Sequence, residues 1–355
     1  MIQFLGLHLN ARAATAVSLG RDLSLWAEAE TPMVNVTSKA EGVQEIPPTE
    51  WVRAGCFALQ EAYFQLPVKS RKIWGIAPRG PSGWIALDVS YEPISPLRLV
   101  PGARVRDDLT AWIDQNKRVA AKIASILSPK DYFRFTVSGG LATDATEVDR
   151  LGMIHPGRCD WSDEAIDASP MTRAWLPPVF DSHIPTGRLT EDGMRRTSLP
   201  GGCWVVAGAH EAAVGWISVA DIRRPVLWVE SSATPSDQVE DRRAALGVAS
   251  NHGTAPPPGW TSRRAAIIGY KTLESPITSK AGLDEAAAID ALRSQLTGSG
   301  FVVNDVMGIK PRPALGVAAL AGIGSDLVKG WKHYYRALDD SPATPAKTGD
   351  EGTTA

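Results

Sequence analysis

A few residues in this chain sit where their chemistry would be usable. Glu211 follows the apolar run Cys203-Trp204-Val205-Val206-Ala207 and the turn Gly208-Ala209-His210. A carboxylate held on such a turn can accept a proton. The same position also suits a solvated Glu favoured by the positive end of a helix. Ser231 and Ser232 follow a second apolar run, Val226-Leu227-Trp228-Val229, and their hydroxyls can bond an anion, but Glu230 stands beside them with a negative charge. Gly298-Ser299-Gly300 is a glycine pair of the sort that lets an anion approach a helix N-terminus, or simply forms a loop. Near the N-terminus, His8, Asn10 and Arg12 cluster at the end of an apolar strand. Arg12 can touch an anion or be a plain surface residue. Arg79, Gly80, Ser82, Trp84 and Asp88, with Arg104 and Arg106 downstream, form a polar group around a Gly/Pro turn. The Trp84 ring suits apolar C–H faces, although core packing accounts for most of the twelve tryptophans. His155, His183, His252 and His333 are scattered. The sequence has no H-E-x-x-H, C-x-x-C, G-x-S-x-G or Walker-type Gly-Lys-Ser/Thr pattern.

The elements that would position these groups read as alternating strands and helices. Residues 2–9, 14–19 and 23–29 form an antiparallel meander. A helix follows Pro47-Pro48, with Thr49 as its N-cap and apolar positions through Ala62. Strands are expected at 72–77 and 84–88, around a turn at 78–83. Residues 108–127 read as one helix, and Ser128-Pro129 opens another over 132–137, closed by Gly139-Gly140. A short helix ends at Thr197, a strand covers 203–207 and a helix covers 212–219. A second unit begins near Asp221 with a strand at 225–229. Residues 235–260 read as a loop and 283–296 and 314–328 as helices. Residues 339–355 read as a disordered tail. This is an α/β pattern with a mixed sheet.

Composition limits the alternatives. With 355 residues, about two domains are expected. Hydrophobic residues at 44% and charged residues at 21% exclude wholesale disorder. Gly and Pro show no triplet period, and no repeat of roughly 20–50 residues is visible. The net charge of −2 gives no sign of a nucleic-acid partner. Cys56, Cys159 and Cys203 lack metal-ligand spacing and are odd in number, so no metal site is expected and the thiols read as reduced and cytoplasmic. The N-terminus lacks the pattern of a signal peptide. The longest apolar stretch falls short of the roughly 18 residues needed to cross a bilayer, so no membrane partner is expected.

Several stretches, in order, resemble the FGGY carbohydrate kinases. The strongest runs from Leu127-Ser128-Pro129-Lys130-Asp131-Tyr132 through Ser138-Gly139-Gly140 to Thr143-Asp144. Cys159-Asp160-Trp161-Ser162, Leu176-Pro177-Pro178-Val179 and Gly187-Arg188-Leu189-Thr190 continue it, followed by Gly202 through Glu211. Upstream, residues 73–77 and 84–88 are similar to a sugar-contacting segment, and residues 316–324 to a Gly-Ala-Ala helix. The match covers about 200 residues at the N-terminal side well and the remainder in patches.

The resemblance implies an α/β, two-domain actin-like ATPase (ribonuclease H-like) fold with a reduced second domain. The sugar-side domain would span 1–219 and the nucleotide-side domain 220–338. It implies ATP-dependent phosphorylation of a sugar or polyol hydroxyl, using ATP and Mg²⁺, with homodimerisation open. Glu211 falls at the family's catalytic Asp. Arg79, Gly80, Ser82, Trp84 and Arg106 fall on the substrate side, and His8, Asn10, Arg12, Ser231, Ser232, Gly298 and Gly300 on the nucleotide and phosphate side. His8 stands where the family has a metal-positioning Asp, Asn10 where it has Gly, and Glu230 at its phosphate-loop Gly. These departures keep two readings open: a divergent sugar kinase, or an inactive relative that binds a sugar or a partner.

Overall fold

The computed structural model describes residues 2–21, 24–100, 104–155 and 160–210, together with Ala318 and Ala321. The expected second domain, the tail, and the candidate residues Glu211, Ser231, Ser232, Gly298 and Gly300 lie outside these residues.

The chain opens with strands β1 (Ile2–Leu9), β2 (Ala13–Gly20) and β3 (Leu25–Pro32), then the short β4 (Thr37–Ser38) and β5 (Gln44–Ile46). Helix α1 (Pro48–Gln65) leads to β6 (Lys72–Gly80), β7 (Gly83–Leu87) and β8 (Leu97–Leu99). Helices α2 (Val105–Gln115) and α3 (Lys117–Ala120) precede β9 (Ser125–Leu127), and α4 (Pro129–Ser138) precedes β10 (Thr143–Asp144). Helices α5 (Ala145–Arg150) and α6 (Asp163–Asp167) are followed by β11 (Val179–Phe180) and β12 (Pro185–Arg188). Helix α7 (Glu191–Thr197) and strands β13 (Trp204–Val206) and β14 (Ala209–His210) complete the described part.

The main sheet runs β12-β13-β6-β1-β2-β3, with β14 also paired to β6. Strands β1, β6, β13 and β14 are mutually parallel where they pair, and β2 and β3 return antiparallel. A five-stranded sheet runs β4-β5-β8-β7-β9. Strand β1 is buried along nearly its whole length, which explains its continuous apolar run.

Helix α1 packs on the main sheet through Trp51, Ala54, Ala58, Leu59 and Ala62. Gly55 matters here: a Cβ on it would lie 2.4 Å from the Phe133 ring of α4, so only glycine lets the two helices meet. The expected Thr49 cap is not used. Pro47 precedes the first turn without a side-chain bond and Pro48 opens the helix, where its missing N–H costs nothing. Ser128 does cap α4, its Oγ accepting the Asp131 N–H at 3.3 Å, and Gly139 ends that helix at φ 71°.

The single helix expected at 108–127 is broken. Helix α2 ends at Gln115, and Ser125–Leu127 is a strand, pairing with Leu87–Ile85 of β7. Strand β6 runs three residues past its expected end, through Pro78 and Arg79 to Gly80, because parallel pairing with β1 continues there. Among the described residues no helix is long and apolar enough to cross a membrane.

Candidate functional site

The parallel strands β1, β6 and β14 end together, and such an edge is where α/β sheets hold ligands. Register sets the arrangement: Arg79 on β6 is opposite His8 on β1 and opposite Ala209 on β14. His210 is opposite Gly80. Side chains alternate along a strand, so Arg79 and His8 share one face while His210 shares the other with Gly80.

On the first face, Arg79 Nη2 lies 3.0 Å from His8 Nε2. A guanidinium can only donate, so His8 Nε2 accepts and its proton resides on Nδ1. Burial, then the Arg79 charge, hold His8 well below the ordinary histidine range, so it is neutral at neutral pH. Arg79 is 1% exposed.

On the second face, Arg150 Nε donates to Ser82 Oγ at 2.8 Å, and Ser82 Oγ lies 3.0 Å from His210 Nε2. Burial, then Arg150, Arg79 and Lys130, push His210 well below its ordinary value. Ser82, Trp84, Arg106, Glu147 and Arg150 line a cavity of about 30 Å³ behind this face.

Beneath lies a buried ionic network. Lys130 Nζ contacts Asp131 Oδ1 at 2.7 Å and Asp144 Oδ1 at 2.9 Å. Arg134 Nη2 lies 3.2 Å from Asp131 Oδ1, and Thr143 Oγ1 donates to Asp131 Oδ2 at 2.7 Å. Asp144 Oδ2 accepts from Thr146 Oγ1 at 2.6 Å and Ser182 Oγ at 2.7 Å. Thr146 Oγ1 in turn accepts the His210 backbone N–H at 2.8 Å. Burial opposes charge on Lys130, but Asp131, Asp144 and Glu147 outweigh it and raise its pKa. Burial likewise opposes ionisation of Asp131, and Lys130 with Arg134 reverses the balance and lowers it. For Glu147 burial wins, and its carboxyl is held well above the ordinary range.

The turn into β14 depends on Gly208. It has φ 77°, and a Cβ there would lie 2.0 Å from the Pro78 carbonyl oxygen. Glycine is the residue that fits both constraints.

The sequence-derived candidates divide by place. His8, Arg79, Gly80 and Ser82 meet at the sheet edge; Gly80 packs on Lys130, where a Cβ would lie 3.4 Å from the lysine Cβ. Asn10 keeps the turn after β1, but not through a left-handed backbone, since its φ is not positive. Its Oδ1 instead accepts the N–H groups of Arg12 (2.7 Å) and Ala13 (3.0 Å). Arg12 is exposed on that hairpin.

Trp84 is corrected from ligand platform to core residue. It is 1% exposed, its indole N–H donates to Asp108 Oδ2 at 2.8 Å, and its ring stands edge-on to Trp112. Arg106 reaches the site only through the cavity wall. Asp88 and Arg104 are structural: Asp88 accepts from the Ser90 and Glu92 N–H groups, and Arg104 pairs with Glu41. Cys56 and Cys203 are buried free thiols pushed up to about 12 by burial, so neither is a nucleophile.

Lys130, Asp131, Asp144 and Thr146 had no assigned role in the sequence. The signal was present in Lys130-Asp131, a charged pair, and in Thr143-Asp144, a hydroxyl beside a carboxylate, both next to apolar residues.

Residues 108–218 match the N-terminal domain of the FGGY family of carbohydrate kinases. Xylulose kinase from Klebsiella pneumoniae is 28% identical over 148 residues, which is 40% of this chain and 30% of that one. Xylulose kinase from Bacillus subtilis is 24% identical over 242 residues, 60% of this chain and 48% of that one. The chain thus covers less than half the length of these relatives.

Among solved structures, xylulose kinase from Rhodospirillum rubrum aligns with a TM-score of 0.57 at 18% identity, covering 63% of this chain and 53% of that one. Glycerol kinase from Plasmodium falciparum, solved with ADP, aligns with a TM-score of 0.64 at 11% identity, covering 97% and 93%. These identities speak to fold, which is the α/β actin-like ATPase fold. With the edge of β1, β6 and β14 and the motifs from Leu127 to Asp144 in place, residues 108–218 of this chain are similar to the N-terminal domain of the FGGY family of carbohydrate kinases.

Proposed function

We propose that the protein transfers the γ-phosphoryl group of ATP to a hydroxyl of a sugar or polyol, and that the described residues form its acceptor half. The observation that carries this reading is the chain of contacts from Lys130 through Asp144 and Thr146 to the His210 backbone. It fixes the end of β14, and Glu211 is the next residue. In the reaction, the acceptor oxygen bonds to phosphorus, the bond from phosphorus to the ADP oxygen breaks, and the hydroxyl proton goes to the Glu211 carboxylate. Glu in place of Asp keeps the chemistry and lengthens the reach by one methylene. The match of residues 108–218 to the FGGY N-terminal domain and the similarity to xylulose kinases support the substrate class. The division at residues 219 and 220 belongs to the same proposal.

The described part of the site does not fit Mg²⁺. Its donors at the end of β1 are a neutral imidazole and a guanidinium, whereas Mg²⁺ takes oxygen ligands.

His8 against Arg79 also favours a second reading, in which the fold binds its ligand without phosphoryl transfer. Titration calorimetry of the full chain with Mg-ATP, with and without pooled sugars, followed by mass analysis of the sugars, separates the two. A sugar heavier by one phosphoryl group supports transfer. Sugar binding without that product supports the second reading.

A further inference from the structure

A single hydroxyl ties together the segments that meet at the strand ends. Ser82 lies in the turn between β6 and β7, Arg150 ends α5 and His210 ends β14. Ser82 Oγ accepts from Arg150 Nε at 2.8 Å and lies 3.0 Å from His210 Nε2. Ser82 and His210 are both buried. A serine hydroxyl has one proton to give, and a guanidinium cannot receive it. Among the described residues the acceptor within reach of Ser82 Oγ is His210 Nε2. The ring therefore accepts at Nε2 and carries its own proton at Nδ1. Burial first, then the charges of Arg150, Arg79 and Lys130, disfavour a second proton on it.

The strand that ends in His210 needs such an anchor. β14 has two residues, fewer than a usual strand, and its ladder to β6 consists of Ala209 opposite Arg79 and His210 opposite Gly80. Thr146 Oγ1 holds the His210 backbone N–H, and Ser82 Oγ holds the ring. Ser82 is itself firmly seated. Its carbonyl accepts the Val100 N–H at 3.1 Å, and the next residue is Gly83, where a Cβ would lie 2.1 Å from the Arg98 carbonyl oxygen. The turn is thus pressed against β8, and a hydroxyl carried on it can set the orientation of a neighbour. Glu211 follows His210 directly in the sequence.

We propose that Ser82 is a positioning residue: its hydroxyl locks the His210 ring in one tautomer and so fixes the direction in which the chain leaves β14 for Glu211, instead of bonding the sugar itself. The catalytic consequence rests on the reading of Glu211 as the base.

The test starts from the full chain labelled with ¹⁵N-histidine. Multiple-bond ¹H–¹⁵N correlation spectra separate the two neutral tautomers, and His210→Gln identifies the His210 signal among the six histidines. The Nδ1–H pattern is expected, and Ser82→Ala should abolish it. An Nε2–H pattern in the unsubstituted protein overturns the inference, and this reading stands even where Ser82→Ala does not fold. Steady-state kinetics then read the consequence. Ser82→Ala should lower kcat by about 10²-fold with KM held within about threefold, and Ser82→Thr, which keeps the hydroxyl, should restore kcat. Ser82→Ala combined with His210→Leu should lose no more than His210→Leu alone, because both cut the same link. Losses that multiply overturn the inference. So does a rise in KM at unchanged kcat, which would make Ser82 a sugar contact. A Ser82→Ala protein with full kcat and KM overturns it too and leaves the kinase reading standing. If no sugar stimulates ADP release, the kinase reading falls, and the spectra with the same double-variant cycle in melting temperature still decide the link from Ser82 to His210.

Discussion

Thr146 Oγ1 joins the buried network to the working end of the sheet: it donates to Asp144 at 2.6 Å and accepts the His210 N–H at 2.8 Å. A hydroxyl is required because the atom must donate and accept at once. Thr146→Val keeps the shape and removes both bonds. A loss of about 1–3 kcal/mol in stability is expected from the orphaned groups. Because Thr146 positions the residue before Glu211, kcat should fall by about 10²-fold with KM changed far less. Thr146→Ser should restore kcat. A purely structural Thr146 would leave kcat intact in the protein that remains folded.

Lys130 neutralises two carboxylates in a fully buried setting. Lys130→Met should cost about 3–5 kcal/mol by chemical denaturation, since it strands Asp131 and Asp144. The double variant Lys130→Met with Asp144→Asn should recover part of that loss. Additive losses would contradict a coupled network.

Trp84 belongs to the second core, with Asp108 and Trp112. Trp84→Phe should cost about 1–2 kcal/mol in stability through the lost indole bond. Affinity for the sugar ligand should stay within about threefold, less than the effect of losing a true stacking contact. A selective loss of binding would restore the ring to the site.

Asp149 on α5 is raised to about 7, first by burial, against the opposing pull of Arg150. Its Oδ2 is buried without a hydrogen-bond partner. The folded state therefore binds this proton more tightly than the unfolded state, so stability falls as pH rises from about 4 towards 7. Asp149→Asn should be stabilising at pH 8 by on the order of 1–2 kcal/mol, allowing for solvent screening, and near neutral at pH 4. Melting curves at both pH values check this; an equal shift at both would rule out the ionisation.

Much of the fold was readable because its signals are local. The apolar runs of β1, β2 and β13 and the Ser128-Pro129 start of α4 each carry their own instruction. What could not be read depends on partners distant in sequence. Ser125–Leu127 has helical spacing with the residues before it, yet becomes a strand because Ile85–Leu87 offers a ladder. Trp84 looks the same whether it faces a ligand or Asp108, which is 24 residues away. The positions of His8 and Arg79 were legible as candidates, but their contact spans 71 residues and only the β1–β6 register produces it. Lys130 and Asp144 look in the sequence like ordinary surface charges, and nothing local says they are buried.

The proposed phosphoryl transfer, with Glu211 in the sequence just after β14 as its base, is tested most directly by ADP release. The full chain is incubated with Mg-ATP and a panel of neutral and anionic sugars, beside its Glu211→Ala variant. ADP release should depend on at least one sugar and fall by about 10²-fold or more in the variant. ADP release that no sugar stimulates, or that Glu211→Ala leaves unchanged, would contradict it.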